Sequence, residues 1–107
     1  MKITINDLEF EIIEVEKDSK EFKDEKIEGL LGLYNPIEQK IFIRSDLNPV
    51  RKRKVLIHEL THLFIDMYGF VGCQFTEEML CSFIESYSTK INYIASKYVE
   101  QLSYSEN

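Results

Sequence analysis

The chain has only two histidines, and both stand in the segment VLIHELTHLFIDMYG, residues 55–69, as His58 and His62 with Glu59 beside the first. A helix turns by about 100° per residue, so positions four apart share a face one turn apart, and the two imidazoles can offer nitrogens to a single ion. Glu59 is rotated by about 100° from His58, which sets it next to such an ion without making it a ligand. This is the H-E-x-x-H pattern, in which paired histidines hold zinc and the glutamate acts as general base toward water. Asp66 follows His62 by one turn, but its short side chain would have to reach back along the axis to join both histidines. It reads as a supporting or solvent-facing residue.

A hydrolytic zinc centre takes three protein ligands and keeps one position for solvent. The longer metzincin motif would require Gly at 65 and His at 68, where this chain has Ile65 and Tyr68. With no further histidine, the third ligand must be a carboxylate or, less readily, a cysteine. Glu77 and Glu78 open the second long helical pattern, EEMLCSFIESYSTKINYIASKYVEQL. Its apolar stripe runs through Leu80, Phe83, Ile84, Tyr87, Ile91 and Ile94. Glu77 lies about 60° from the centre of that stripe and Glu78 about 160° away. Glu77 is therefore expected to face the packed side and complete the site, with Glu78 in reserve. Cys81 shares the face of Glu77 and is expected to be core packing or support for the site. Glu85 points outward with Glu78, as a surface charge.

The elements that must position these residues can be read on either side of the motif. KITI (2–5) and LEFEIIEVE (8–16) alternate apolar and charged residues around Asn6 and Asp7, as a hairpin does. The adjacent Ile12 and Ile13 break the alternation and suggest a bulge or a strand that crosses a corner. KDSKEFKDEK (17–26) lacks a stripe and reads as a solvent-facing connection with at most a helical turn. EGLLGLYNPIEQKIFIRS (28–45) holds two β-rich runs parted by Asn35 and Pro36, a second hairpin. Asn48 as N-cap and Pro49 at the first helical position start a helix expected over 49–67 and ended near Gly69. Thr76 caps the second helix, expected to reach about residue 102 before a frayed tail. Four strands followed by two long helices predict an α+β fold: one domain over residues 1–107, with a small, largely antiparallel sheet packed on the first helix and the second helix crossing behind the metal site.

The formal net charge of −6 argues against general affinity for nucleic acid or an anionic membrane, both of which reward excess Lys and Arg, and leans toward a partner with basic patches. RKRK at 51–54 is the one basic run, but four successive helical residues point all round the axis, so it reads as a solvated helix start. With no apolar signal region and no run of membrane-spanning length, a cytoplasmic location is expected. Cys73 and Cys81 form neither a disulfide framework nor a C-x-x-C pair and are expected to be free thiols.

With HELTH at 58–62 and EEMLCSF at 77–83, the chain resembles the gluzincin metallopeptidases, and within them the small ImmA/IrrE-like enzymes of phages, mobile elements and bacteria. In that group a glutamate precedes an Asp or Asn by four positions and an aromatic follows two further on, a spacing that Glu77 and Phe83 match. Cys81 departs from it, standing where the family has the Asp or Asn that orients a metal-bound histidine. GLYNPIEQKIFI (32–43) resembles the hairpin before the active helix, so the likeness spans residues 30–90. It implies a minimal zincin in which His58, His62 and Glu77 hold Zn²⁺ and Glu59 is catalytic. Its substrate would be a protein or peptide, specifically a cytosolic regulator or repressor. Tyr34, Tyr68, Tyr87 and Tyr93 are equivalent candidates to stabilise the oxyanion. The rival expectation is a zinc-containing regulatory or inhibitory binding protein without turnover.

Overall fold

A computed structural model describes residues 1–23, 30–70, 72 and 74–105; Cys73 and the end of the charged connection lie outside them. Lys2–Ile5 is β1 and Leu8–Val15 is β2. The two-residue turn between them places Asn6 and Asp7 at φ 51° and 66°. Two left-handed residues are what a tight hairpin requires, and Asn and Asp tolerate that conformation. The turn is also tied to the histidine-bearing helix: the Asn6 side-chain amide donates to the carbonyl of Met67, the last residue of that helix, at 3.2 Å.

The bulge expected at Ile12 and Ile13 is absent. The β2 ladders run unbroken from Leu8 to Val15. Phe10 and Ile12 are buried on one face while Ile13 and Val15 are half-buried on the other, so the paired isoleucines reflect a strand partly covered on both faces.

After the short helix α1, Lys20–Lys23, Gly32–Asn35 forms β3 and Lys40–Arg44 forms β4. The Asn35 side chain accepts from the backbone N–H groups of Ile37 and Glu38, both at 3.0 Å, an Asx turn that closes this hairpin. The sheet order is β1-β2-β4-β3. Its two outer ladders are antiparallel, but the central one is parallel, pairing Glu11 with Lys40 through Val15 with Arg44. The sheet is thus antiparallel in two of its three ladders, as expected, and the parallel central ladder makes it mixed. Ile41, Phe42 and Ile43 are successive buried residues, the composition of a central strand, and this favours β4 over β3 as the neighbour of β2. Among the described residues β3 is left at the edge.

The helix α2 spans Pro49–Met67 as expected. The Asn48 carboxamide oxygen accepts from the Arg51 N–H at 2.9 Å. At the other end Gly69 takes φ 83° and the Phe70 N–H returns to the Ile65 carbonyl at 2.9 Å, the six-to-one closure of a Schellman motif. The helix α3 covers Glu77–Ser105, beyond the expected end near residue 102, and the Thr76 hydroxyl oxygen caps it by accepting from the Met79 N–H. Leu56, Leu60, Leu63 and Phe64 of α2 join one core with Ile3, Ile5, Phe10, Ile12, Ile41 and Ile43 of the sheet and with Phe83, Ile91, Ile94, Ala95 and Tyr98 of α3. An aromatic group holds the α2–α3 corner: Tyr68 stacks on Tyr87 with centroids 4.5 Å apart, and Phe70 meets Phe75 and Phe83, each at 5.5 Å. Among the described residues no helix is long and apolar enough to cross a membrane.

Candidate metal centre

The core face of α2 leaves His58 and His62 on its exposed side, one turn apart, with ring centroids 4.9 Å from each other at an interplanar angle of 73°. Glu59, turned off that face, is only 6% exposed. Its burial comes from β3, which passes so close to α2 that the Gly32 position has no room for a side chain. A Cβ there would lie 3.3 Å from Glu59 Cγ and 2.5 Å from Val55 Cγ1. Nitrogen and oxygen atoms of His58, Glu59 and His62 all fall within 4.8 Å of one another, an arrangement that could hold a metal ion. The two imidazoles suit zinc in kind, since histidine nitrogen is among its ordinary ligands, and the Glu59 carboxylate stands beside them.

Burial pushes the Glu59 carboxyl above the ordinary glutamate range, while His58, His62 and the Tyr34 backbone act in the opposite sense and favour the charged form. A carboxyl held by opposing influences beside two imidazoles is the kind of group that general-base chemistry uses.

The cluster lies in an open cleft of about 1020 Å³ between β3 and α2. Leu30 to Tyr34 form one wall; Val55, His58, Glu59, His62 and Ile65 form the other. Of the four tyrosines read as oxyanion candidates, only Tyr34 lines this cleft. Its hydroxyl donates to Asp66 Oδ2 at 2.7 Å. Burial, together with that carboxylate, raises the phenol further above its ordinary range, so it stays protonated. Tyr68 and Tyr87 are committed to the aromatic corner, and Tyr93 is exposed beneath Lys97. Asp66 therefore has a definite partner, one that sequence reasoning missed because the two residues are 32 positions apart.

The α3 residues are placed differently from expectation. Glu77 and Glu78 are both exposed, and Glu77 neither joins the His58–Glu59–His62 group nor lines the cleft. Leu80 and Ile84 are 48% and 51% exposed, so the stripe used to orient Glu77 is not buried in the first turns of α3. There the inward residues are Met79 and Phe83, and Glu77 shares the outer side with Leu80, Cys81 and Ile84. Cys81 is an exposed free thiol rather than core packing.

The basic run also departs from a uniformly solvated helix start. Lys52 is 7% exposed and forms an ion pair with Glu14 of β2. Arg53 donates to Asn92 of α3 at 3.1 Å. Arg51 and Lys54 line the cleft.

No family model, curated protein or solved structure matches the chain.

Proposed function

We propose that the protein is a zinc-dependent metallopeptidase that hydrolyses a peptide bond in a specific protein, a regulator or repressor being the substrate class that the ImmA/IrrE-like resemblance implies. The observation that carries this reading is the meeting of His58, Glu59 and His62 within 4.8 Å on the wall of one open cleft. His58 and His62 would hold the ion. Glu77 is proposed as the third ligand on the sequence pattern alone, its exposed position on the first turn of α3 lending no support.

Bound zinc would supply Lewis acidity toward a carbonyl oxygen and make water more acidic. The rest belongs to the chain. Glu59 takes a proton from the attacking water and delivers it to the leaving amine, and its near-complete burial keeps bulk solvent from competing for that proton. Tyr34, protonated and lining the same cleft, is the side chain nearest in kind to an oxyanion donor, provided its hydroxyl leaves Asp66 when substrate is bound. Among the described residues β3 pairs with β4 alone and is the sheet edge that lines the cleft, so an extended substrate can add to it through main-chain hydrogen bonds.

A second reading, a zinc-containing regulatory or inhibitory binding protein without turnover, is favoured by two observations: Glu77 stands apart from the histidines, and Cys81 replaces an acid or amide. Glu59→Gln separates the two readings. A peptidase variant should still bind zinc and lose cleavage, whereas a binding protein should keep its biological effect. Full retention of cleavage would remove Glu59 from the proposed chemistry.

A further inference from the structure

The basic residues at the start of α2 do not share one environment. Lys52 is tied to Glu14 and Arg53 to Asn92, which leaves Arg51 and Lys54. Both are exposed and both line the cleft with His58 and His62. Among the described residues, neither side chain takes part in an ion pair or hydrogen bond. Two cations with no partner among the described residues, in a chain of formal net charge −6, run against the charge of the molecule as a whole, and they sit at one end of the cleft that holds the histidines. The cleft's carboxylates, Glu59 and Asp66, lie further along the helix. An acidic group entering the cleft is therefore drawn to the Arg51 end and repelled from the Asp66 end.

Distance along the helix gives this polarity a scale. Lys54 precedes His58 by one turn and Arg51 by two, about 6 Å and about 10 Å of rise. An extended peptide advances roughly 3.3 Å per residue. A bond positioned beside His58 thus brings side chains about two and about three residues away opposite Lys54 and Arg51. The lining also includes the apolar residues Leu31, Leu33 and Val55.

Resting on the peptidase reading, we propose that the cleft selects peptides with an Asp or Glu side chain about two to three residues from the scissile bond, on one side of it, held by Arg51 and Lys54. Arg51 can grip the carboxylate with two parallel N–H bonds and Lys54 adds a point charge.

The test uses the zinc-loaded full chain and a random synthetic peptide library in free-acid and C-terminally amidated forms, with cleaved bonds read by mass spectrometry. The expected result is an Asp and Glu enrichment at that distance of up to about fivefold per ion pair, the same in both forms and weaker as salt is added. In Arg51→Glu/Lys54→Glu, whose sites are exposed and whose fold is checked by circular dichroism, the preference should move to Lys and Arg. An enrichment confined to the free-acid library would overturn the side-chain assignment in favour of a terminal carboxylate. Cleavage with no charge preference would overturn the proposal and leave the peptidase reading standing.

Binding provides an independent readout. Glu59→Gln should bind a fluorescent Glu-containing library peptide more tightly than its Gln counterpart, by a similar factor. That preference without any wild-type cleavage would keep the acidic-peptide assignment and end the peptidase reading. Equal affinity for the two peptides would end the assignment.

Discussion

Gly32→Ala probes the closest approach between β3 and the helix that carries the histidines. The new Cβ would stand 2.5 Å from Val55 Cγ1, 3.1 Å from the Phe42 carbonyl oxygen and 3.3 Å from Glu59 Cγ. The first distance is too short for any real contact, and one of its partners belongs to a β-branched side chain with little rotamer freedom. Either Val55 is displaced on α2 or β3 lifts away from it. Overpacking of this kind costs about 1–3 kcal/mol, and the smaller unfolded-state entropy of alanine returns about 0.4–1 kcal/mol, leaving a net loss of about 1–2 kcal/mol. For a chain of this size that is a fall in Tm of roughly 5–10 °C.

The assay is urea and thermal unfolding of Gly32→Ala, Val55→Ala and the double variant. Val55→Ala removes the clashing methyl, so the double variant should be more stable than the summed single losses require, by about 1 kcal/mol. A neutral or stabilising Gly32→Ala, or losses that add to within about 0.5 kcal/mol, would refute the close packing that buries Glu59.

Other expectations follow from the same contacts. Lys52→Met should destabilise by about 1 kcal/mol in urea unfolding, because it leaves the partly shielded Glu14 carboxylate of β2 without its counter-charge, and Lys52→Arg should recover part of the loss. Tyr98 is 4% exposed and its hydroxyl meets no partner at full hydrogen-bond geometry among the described residues, although the Glu14 carboxylate lies near enough to act on it. Burial first, then Glu14, raises this phenol, so its contribution to stability is fully present below the unfolded value of about 10 and is lost as pH rises beyond it. Tyr98→Phe should match or exceed the wild type at neutral pH and lose less stability above about pH 10, as measured by unfolding across a pH series. In the metal-free protein, burial raises the Glu59 pKa, so stability falls as pH rises through the carboxyl range. Glu59→Gln should then unfold at a higher temperature than the wild type at neutral pH, and a lower one would contradict the burial of a charge there.

Much of the frame was legible in the residues because its signals are local. Asn48 with Pro49, Thr76, the Asn6–Asp7 turn and the i, i+4 histidines each depend on a few neighbouring positions, and each is found where expected. What stayed hidden depends on which surfaces meet. Two hairpins in sequence do not say which strand of the second will lie beside β2, although the unbroken apolar run of β4 bears on it. The 100° offset of Glu59 from His58 gave its direction but not its burial, which comes from a strand more than twenty residues earlier. The Tyr34–Asp66 bond and the separate partners of Lys52 and Arg53 are of the same kind. The α3 stripe misled for a different reason. It was averaged along the helix, whereas the first turns, with Leu80 and Ile84 exposed, bury a different face from the rest, and the expected inward position of Glu77 fell with that average.

The central claim is that His58 and His62 hold one zinc ion in a cleft able to use it. Calorimetric titration of zinc into the metal-free full chain tests this most directly, with His62→Ala and Glu77→Ala measured alongside. The expected result is one saturable equivalent that raises Tm as ligand binding to the folded state must, abolished in His62→Ala and weakened in Glu77→Ala. Absence of saturable binding, or binding unchanged when His62 is removed, would contradict it.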